Sequence, residues 1–153
     1  MLLTQDLVGE WTLQEFMIER SDGMKHPWRK NAKGLLIYLS NGRMSISINS
    51  DVDGNKSLLD NKYNSILFYT GTFEILHDNK VIHHVINASD PDRIGKEMVR
   101  EVILDNEKLK LVGRGEFGIA TLTWNRIVST LKDNNLTSQD SFDMNQPKSK
   151  SRA

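Results

Sequence analysis

Cysteine is absent from all 153 residues. Disulfide staples, thiolate nucleophiles and cysteine-ligated zinc or iron–sulfur centres are therefore excluded. An excess of either charge is also lacking, because twenty basic residues balance twenty acidic ones. Such a chain offers no broad basic face to nucleic acid or to an anionic membrane. No apolar run approaches the roughly 20 residues of a membrane-spanning helix, so membrane insertion is not expected. Met1–Asp6 carries no basic segment and no signal-length apolar stretch follows it, which predicts a cytoplasmic location. His-x-His and His-Glu-x-x-His are missing, and so are Gly-x-Ser-x-Gly and a phosphate-binding glycine loop followed by a helix. Nothing in the spacing asks for a metal or another cofactor.

What the chain does contain is a series of short apolar bursts separated by turn residues. Gly9–Arg20, Gly34–Leu39, Met44–Ile48, Phe68–Leu76, Val81–Ala88, Glu97–Leu104, Lys108–Val112 and Ile119–Ile127 read as eight strands. Ser40-Asn41-Gly42 reads as a type I′ hairpin turn, and Asp78-Asn79 and Asp105-Asn106 as further turns. Hairpin-length connections throughout predict an all-β fold, an eight-stranded up-and-down antiparallel barrel with room for one small ligand. Lys56–Leu67 reads as a short helical segment over one end. The barrel is expected to occupy residues 1–128. Residues 129–153, rich in Ser, Asn, Gln, Asp and Lys, read as a mobile polar tail.

Gly9-Glu10-Trp11 at the start and Arg126 near the end are the marks of lipocalin-type barrels. More fully, the chain resembles the bacterial and fungal lipocalin-like domain family over about residues 7–128. The resemblance rests on Leu7–Trp11, Gly34–Tyr38, Asn41–Met44, Tyr69–Glu74, His83-His84, Ser89-Asp90-Pro91, Gly95, Val99-Arg100, Leu109–Leu111 and Leu122–Arg126. It implies that Trp11 plugs the closed end of a calycin barrel and that Arg126 packs across the indole. It implies a cavity that takes an apolar molecule, with isomerase or cyclase chemistry known among related barrels.

Strand periodicity then assigns faces. In the first strand Trp11, Leu13, Glu15 and Met17 share one side, and Phe16 and Ile18 the other. Both faces carry apolar residues, so a helix, the tail or a second copy of the chain, as in a homodimer, is expected to cover part of the outside. His83 and His84 must point to opposite faces, and the family pattern singles out His83. Arg100 shares a face with Met98, Val102 and Leu104. A guanidinium there must find an anion, a ring or several carbonyls, with Glu15, Glu74 or a ligand carboxylate as partners. Glu74 is a base if its face points inward. Tyr38, Tyr69 and Phe73 are expected cavity walls, and Trp28 in the basic loop Lys25–Lys30 a cap over the mouth. The glycines 113, 115 and 118 read as hairpin and bulge positions.

These residues predict binding of a small, largely apolar or amphipathic molecule bearing a carboxylate or carbonyl, with Arg100, His83, Tyr38, Tyr69, Phe73 and Trp28 around it. Two other readings stand beside it. One is a cofactor-free isomerase or cyclase that uses His83, Glu74 and Arg100. The other is a fully packed barrel with a structural or protein-interaction role.

Overall fold

Turn residues cut the apolar bursts into strands, and the hairpin connections pair each strand with the next. The computed structural model describes residues 1–52 and 62–128. Its strands are β1 (Gly9–Glu19), β2 (Lys25–Pro27), β3 (Lys33–Tyr38), β4 (Arg43–Asn49), β5 (Ile66–Leu76), β6 (Lys80–Ala88), β7 (Glu97–Asp105), β8 (Lys108–Gly115) and β9 (Gly118–Arg126). The long strands follow one another around the sheet, and β9 pairs back onto β1. The result is an eight-stranded antiparallel up-and-down barrel. The three-residue β2 runs beside the far end of β1, with His26 opposite Ile18. A short helix α1 (Thr4–Leu7) precedes β1, and a 3₁₀ turn (Pro91–Arg93) links β6 to β7. The expected helical segment falls partly outside the described residues. Of it, 62–64 are helical, and Ile66 and Leu67 already belong to β5. The expected tail lies wholly outside them.

The face assignment of β1 needs correcting. Leu13 pairs with Trp124 and Glu15 with Thr123, so Gln14 is an extra residue without an opposite number on β9. One added residue shifts the alternation by one position. Trp11 and Leu13 point inward before the bulge, and Phe16 and Ile18 point inward after it, while Glu15 is turned out to solvent. The two apolar faces of the sequence are thus largely one face. The covering subunit or helix they called for is not required by Phe16 and Ile18. A smaller outward strip of Met17, Ile103, Val112 and Ile119 remains across β1, β7, β8 and β9.

Turn chemistry also departs from expectation. Gly42 is left-handed but Asn41 is not. Gly42 N–H donates to the Leu39 carbonyl at 3.0 Å, and Leu39 N–H to the Arg43 carbonyl at 2.9 Å. This is a type I turn followed by a glycine bulge, a three-residue loop rather than a type I′ turn. The signature of two successive left-handed residues appears instead at Asp78-Asn79 (φ 60° and 55°).

One end of the barrel is packed solid. Leu7, Trp11, Leu36, Tyr38, Leu109 and Trp124 are completely buried there. Trp11 lies directly opposite Arg126 in the β1–β9 ladder, and the guanidinium carbon sits 4.2 Å from the indole ring centroid. The indole N–H donates to the Leu7 carbonyl at 3.0 Å. Arg126 donates to the carbonyls of Val8 (3.0 Å) and Asp6 (2.9 Å) and to the Glu107 carboxylate (2.7 Å). The chain leaves α1 through Gly9, whose φ of 138° is strained for any side chain. A Cβ at Gly9 would also sit 2.8 Å from Arg126 Nη1. The Gly-x-Trp pattern therefore has a steric reason: the backbone must pass close beneath the arginine that caps the tryptophan.

Trp11→Ala should destabilise the fold by about 3–5 kcal/mol through the cavity it leaves. Arg126→Ala should cost about 1–3 kcal/mol through lost stacking and uncapped carbonyls. Because the two side chains touch, the double variant measured by denaturant unfolding should be less destabilised than the sum of the two. Strict additivity would contradict the contact.

Candidate functional site

Above the packed layer the barrel is hollow. A cavity of about 390 Å³ opens between the β1–β2 corner, the start of β5, the 3₁₀ turn and the β8–β9 turn. Its wall is mostly apolar, formed by Phe16, Ile18, Ile46, Met98, Leu111 and Leu122. This volume lies at the lower end of the ~300–1,000 Å³ usual for small-molecule sites. The fully packed barrel is thereby corrected: large side chains fill only the closed half. A larger groove of about 670 Å³ lies outside, between Gln14 and Asp51, but polar residues such as Arg29, Asn31, Lys33 and Ser50 line much of it.

The cavity floor carries a buried polar chain. Alternation in β6 turns Val81, His83 and Val85 inward and leaves His84 outside, in contact with the carboxylates of Glu74 and Glu97 at 3.3 Å each. His83 is wholly buried. Its Nε2 lies 2.7 Å from the Tyr38 hydroxyl and its Nδ1 lies 2.7 Å from the Tyr69 hydroxyl. Burial, reinforced by the nearby Arg100 charge, lowers the imidazole pKa to about 3, so the ring is neutral at physiological pH. Burial also raises both phenols, so both tyrosines keep their protons. A neutral imidazole has one donor and one acceptor, and the two tyrosines take one each.

Arg100 reaches the same region from β7. Its guanidinium lies over Gly113 of β8, where an added Cβ would stand 2.9 Å from the guanidinium carbon. Nη1 donates to the Val99 carbonyl at 3.0 Å, and Nη2 lies 4.0 Å from the Met98 sulfur. Neither of the expected carboxylates partners it. Glu74 stands outside the barrel against His84, and Glu15 was turned outward by the Gln14 bulge. Arg93 also lines the cavity, from the 3₁₀ turn. Among the described residues neither Arg93 nor Arg100 is ion-paired, and no Asp or Glu lines the cavity.

Four of the six expected ligand-contacting residues, Arg100, His83, Tyr69 and Trp28, line the cavity. Trp28 is not a free cap, because it lies flat against Phe16, with centroids 4.8 Å apart and planes 7° apart. Tyr38 and Phe73 do not reach the cavity. They pack on each other beneath it, 4.5 Å apart. The proposed catalytic set is broken up: His83 and Arg100 face inward, and Glu74 faces solvent. Among the described residues no cluster of histidines and carboxylates could hold a metal ion.

Two residues escaped the sequence reading. Gly113 is not a bulge position but the bare patch of wall on which Arg100 lies, one step beyond the Glu101–Val112 pair. A glycine inside the alternating run Lys108–Gly115 was the available signal. Arg93 was hidden in a segment read only as a strand breaker.

The His83 arrangement has a pH signature. The folded ring cannot accept a proton until pH nears 3, whereas in the unfolded chain it does so below about 6.5. Stability contributed by the neutral ring is therefore complete above about pH 6.5 and is lost as pH falls toward 3. Between these limits the wild type should lose up to about 1.4 kcal/mol per pH unit from this group. In urea unfolding at pH 7, 6, 5 and 4.5, His83→Gln should show a flatter profile than the wild type. Parallel profiles would contradict the neutral buried ring.

No protein of curated function matches the sequence. Among solved structures, a redesigned β-barrel superposes with a TM-score of 0.47 at 12% identity, covering 82% of this chain and 95% of that one. The lipoprotein YedD from Klebsiella pneumoniae subsp. pneumoniae gives 0.41 at 11% identity, over 92% and 88% of the two chains. A fatty acid transporter, REP1-NXSQ, gives 0.42 at 14% identity, over 82% and 98%. The family model for the lipocalin-like domain matches residues 8–127, from the residue before Gly9 to the residue after Arg126. With its barrel closed by Trp11 and Arg126 and its family model spanning all nine strands, the chain belongs to the lipocalin-like domain family.

Proposed function

We propose that the barrel binds a small, largely apolar molecule with an anionic head, a carboxylate above all, and that the head lies against Arg100. One observation carries this reading: among the described residues, an arginine free of any ion pair faces a mostly apolar cavity that no carboxylate lines. A partly desolvated cation is costly to leave unmatched, and a ligand anion supplies the missing charge. Arg93 and the mouth residues Arg20 and His26 add donors along the entry path. Apolar wall from Phe16 to Leu122 accommodates the rest of the molecule, at roughly 25 cal/mol per Å² buried. Acid–base catalysis finds less support. The carboxylate it needed is outside, and both ring nitrogens of His83 are already engaged by tyrosines.

Isothermal calorimetry with matched acidic and neutral apolar compounds tests the reading. Arg100→Met keeps much of the side-chain volume and removes the charge. It should weaken acidic ligands by about 1.5–3 kcal/mol and leave neutral ones unchanged or tighter. Equal losses for both classes, or no binding of any acidic compound by the wild type, would contradict it.

A further inference from the structure

The protons of the Tyr38–His83–Tyr69 chain can be counted. Tyr38 is fully buried, and its hydroxyl has a single partner among the described residues, His83 Nε2. If Nε2 carried the ring proton, the Tyr38 O–H would have no acceptor in a dry core, at the cost of an unmade buried hydrogen bond. Either tautomer leaves one phenol proton without a protein acceptor, and of the two tyrosines only Tyr69 borders the cavity, where solvent or a ligand can take that proton, so Tyr38 donates to Nε2. The ring proton is then on Nδ1, which donates to the Tyr69 oxygen at 2.7 Å. Tyr69 has accepted from within the protein and keeps its own proton. That hydroxyl belongs to a cavity-lining residue, 3% exposed as a whole, and has no acceptor among the described residues.

We infer that Tyr38 and His83 are positioning residues that turn Tyr69 into a fixed hydrogen-bond donor, and that Tyr69 and Arg100 together form a two-point receptor for the two oxygens of one carboxylate. This deepens the ligand reading above and rests on it. The inward polar end of the cavity presents protons and positive charge. A carboxylate accepts from both groups, whereas an alcohol of the same length forfeits the charge and an ammonium is repelled by it. Tyr69 is placed for the role by its strand: it follows inward-facing Leu67 by two residues on β5 and reaches His83 of the adjacent β6 on the same inner face.

The chain of protons is tested without any ligand. In nitrogen-15 NMR of the full-length protein at pH 7, the His83 ring should be neutral, with a protonated Nδ1 and a bare Nε2. A protonated Nε2 with a bare Nδ1, or a doubly protonated ring, would overturn the inference. The receptor is tested by calorimetry with octanoate, decanoate and dodecanoate beside the corresponding 1-alkanols. Tyr69→Phe should weaken the acids by about tenfold or more, change the alcohols by less than about twofold, and leave the fold intact by its melting curve. If Arg100→Met weakens the acids and Tyr69→Phe does not, the anionic-ligand reading survives and the two-point receptor fails. If the wild type binds none of the acids, both fail. An Nδ1-protonated ring with acid-selective loss in both variants supports the whole inference.

Discussion

Closure of the barrel at β1 is the constraint on which everything else depends. One strand must pair with β3 at its start, with β2 at its end and with β9 along its length. It must also send apolar side chains into two different environments. The Gln14 bulge resolves this. Before it, Trp11 and Leu13 serve the packed end. After it, Phe16 and Ile18 serve the cavity wall. The indole under Arg126 plugs one end so thoroughly that the remaining volume collects at the other. A barrel of this strand number has little interior to spare, and unequal filling is what leaves a binding-sized space.

The same division explains why polar groups are tolerated so deep. His83 is held neutral, and each ring nitrogen has a tyrosine hydroxyl within 2.7 Å. A buried network that satisfies both ring nitrogens fixes side-chain orientation at no net charge and leaves only the Tyr69 O–H without an acceptor among the described residues. Arg100 is different. Its charge is permanent, its own contacts are a neighbouring carbonyl and a thioether, and its seat is Gly113 rather than an acid. This inward cation, without an ion pair among the described residues, sits where the cavity gives another molecule access to it.

Much of the architecture could be read from residue order. Turn residues at regular spacing gave eight strands in a meander, and Gly9, Trp11 and Arg126 located the closed end. Alternation set His83 and His84 on opposite faces and grouped Arg100 with Met98, Val102 and Leu104, but the choice of His83 came from the family resemblance, and which of these faces was inner was not written in the periodicity. Where reading failed, the cause was local geometry that periodicity cannot carry. The extra residue at Gln14 has no compositional mark, so Glu15 and Met17 were grouped with Trp11. Asn41-Gly42 suits two turn types, and the chain adopts the one in which only the glycine is left-handed. The orientation of Glu74 depended on which face of β5 was inner. The hydrogen bonds joining His83 with Tyr38 and Tyr69 span 45 and 14 positions of sequence. No local pattern encodes such distances, and Gly113 acquires meaning only once Arg100 lies across it.

The most direct test of the account is a crystal structure of the protein with decanoate bound. The account predicts the carboxylate inside the barrel, within hydrogen-bond distance of the Arg100 guanidinium and the Tyr69 hydroxyl, with the chain running outward past Leu122 toward Phe16 and Trp28. A carboxylate seated at the mouth on Arg20 and His26 with its chain pointing inward, or a ligand lodged in the outer groove by Arg29 and Lys33, would contradict it.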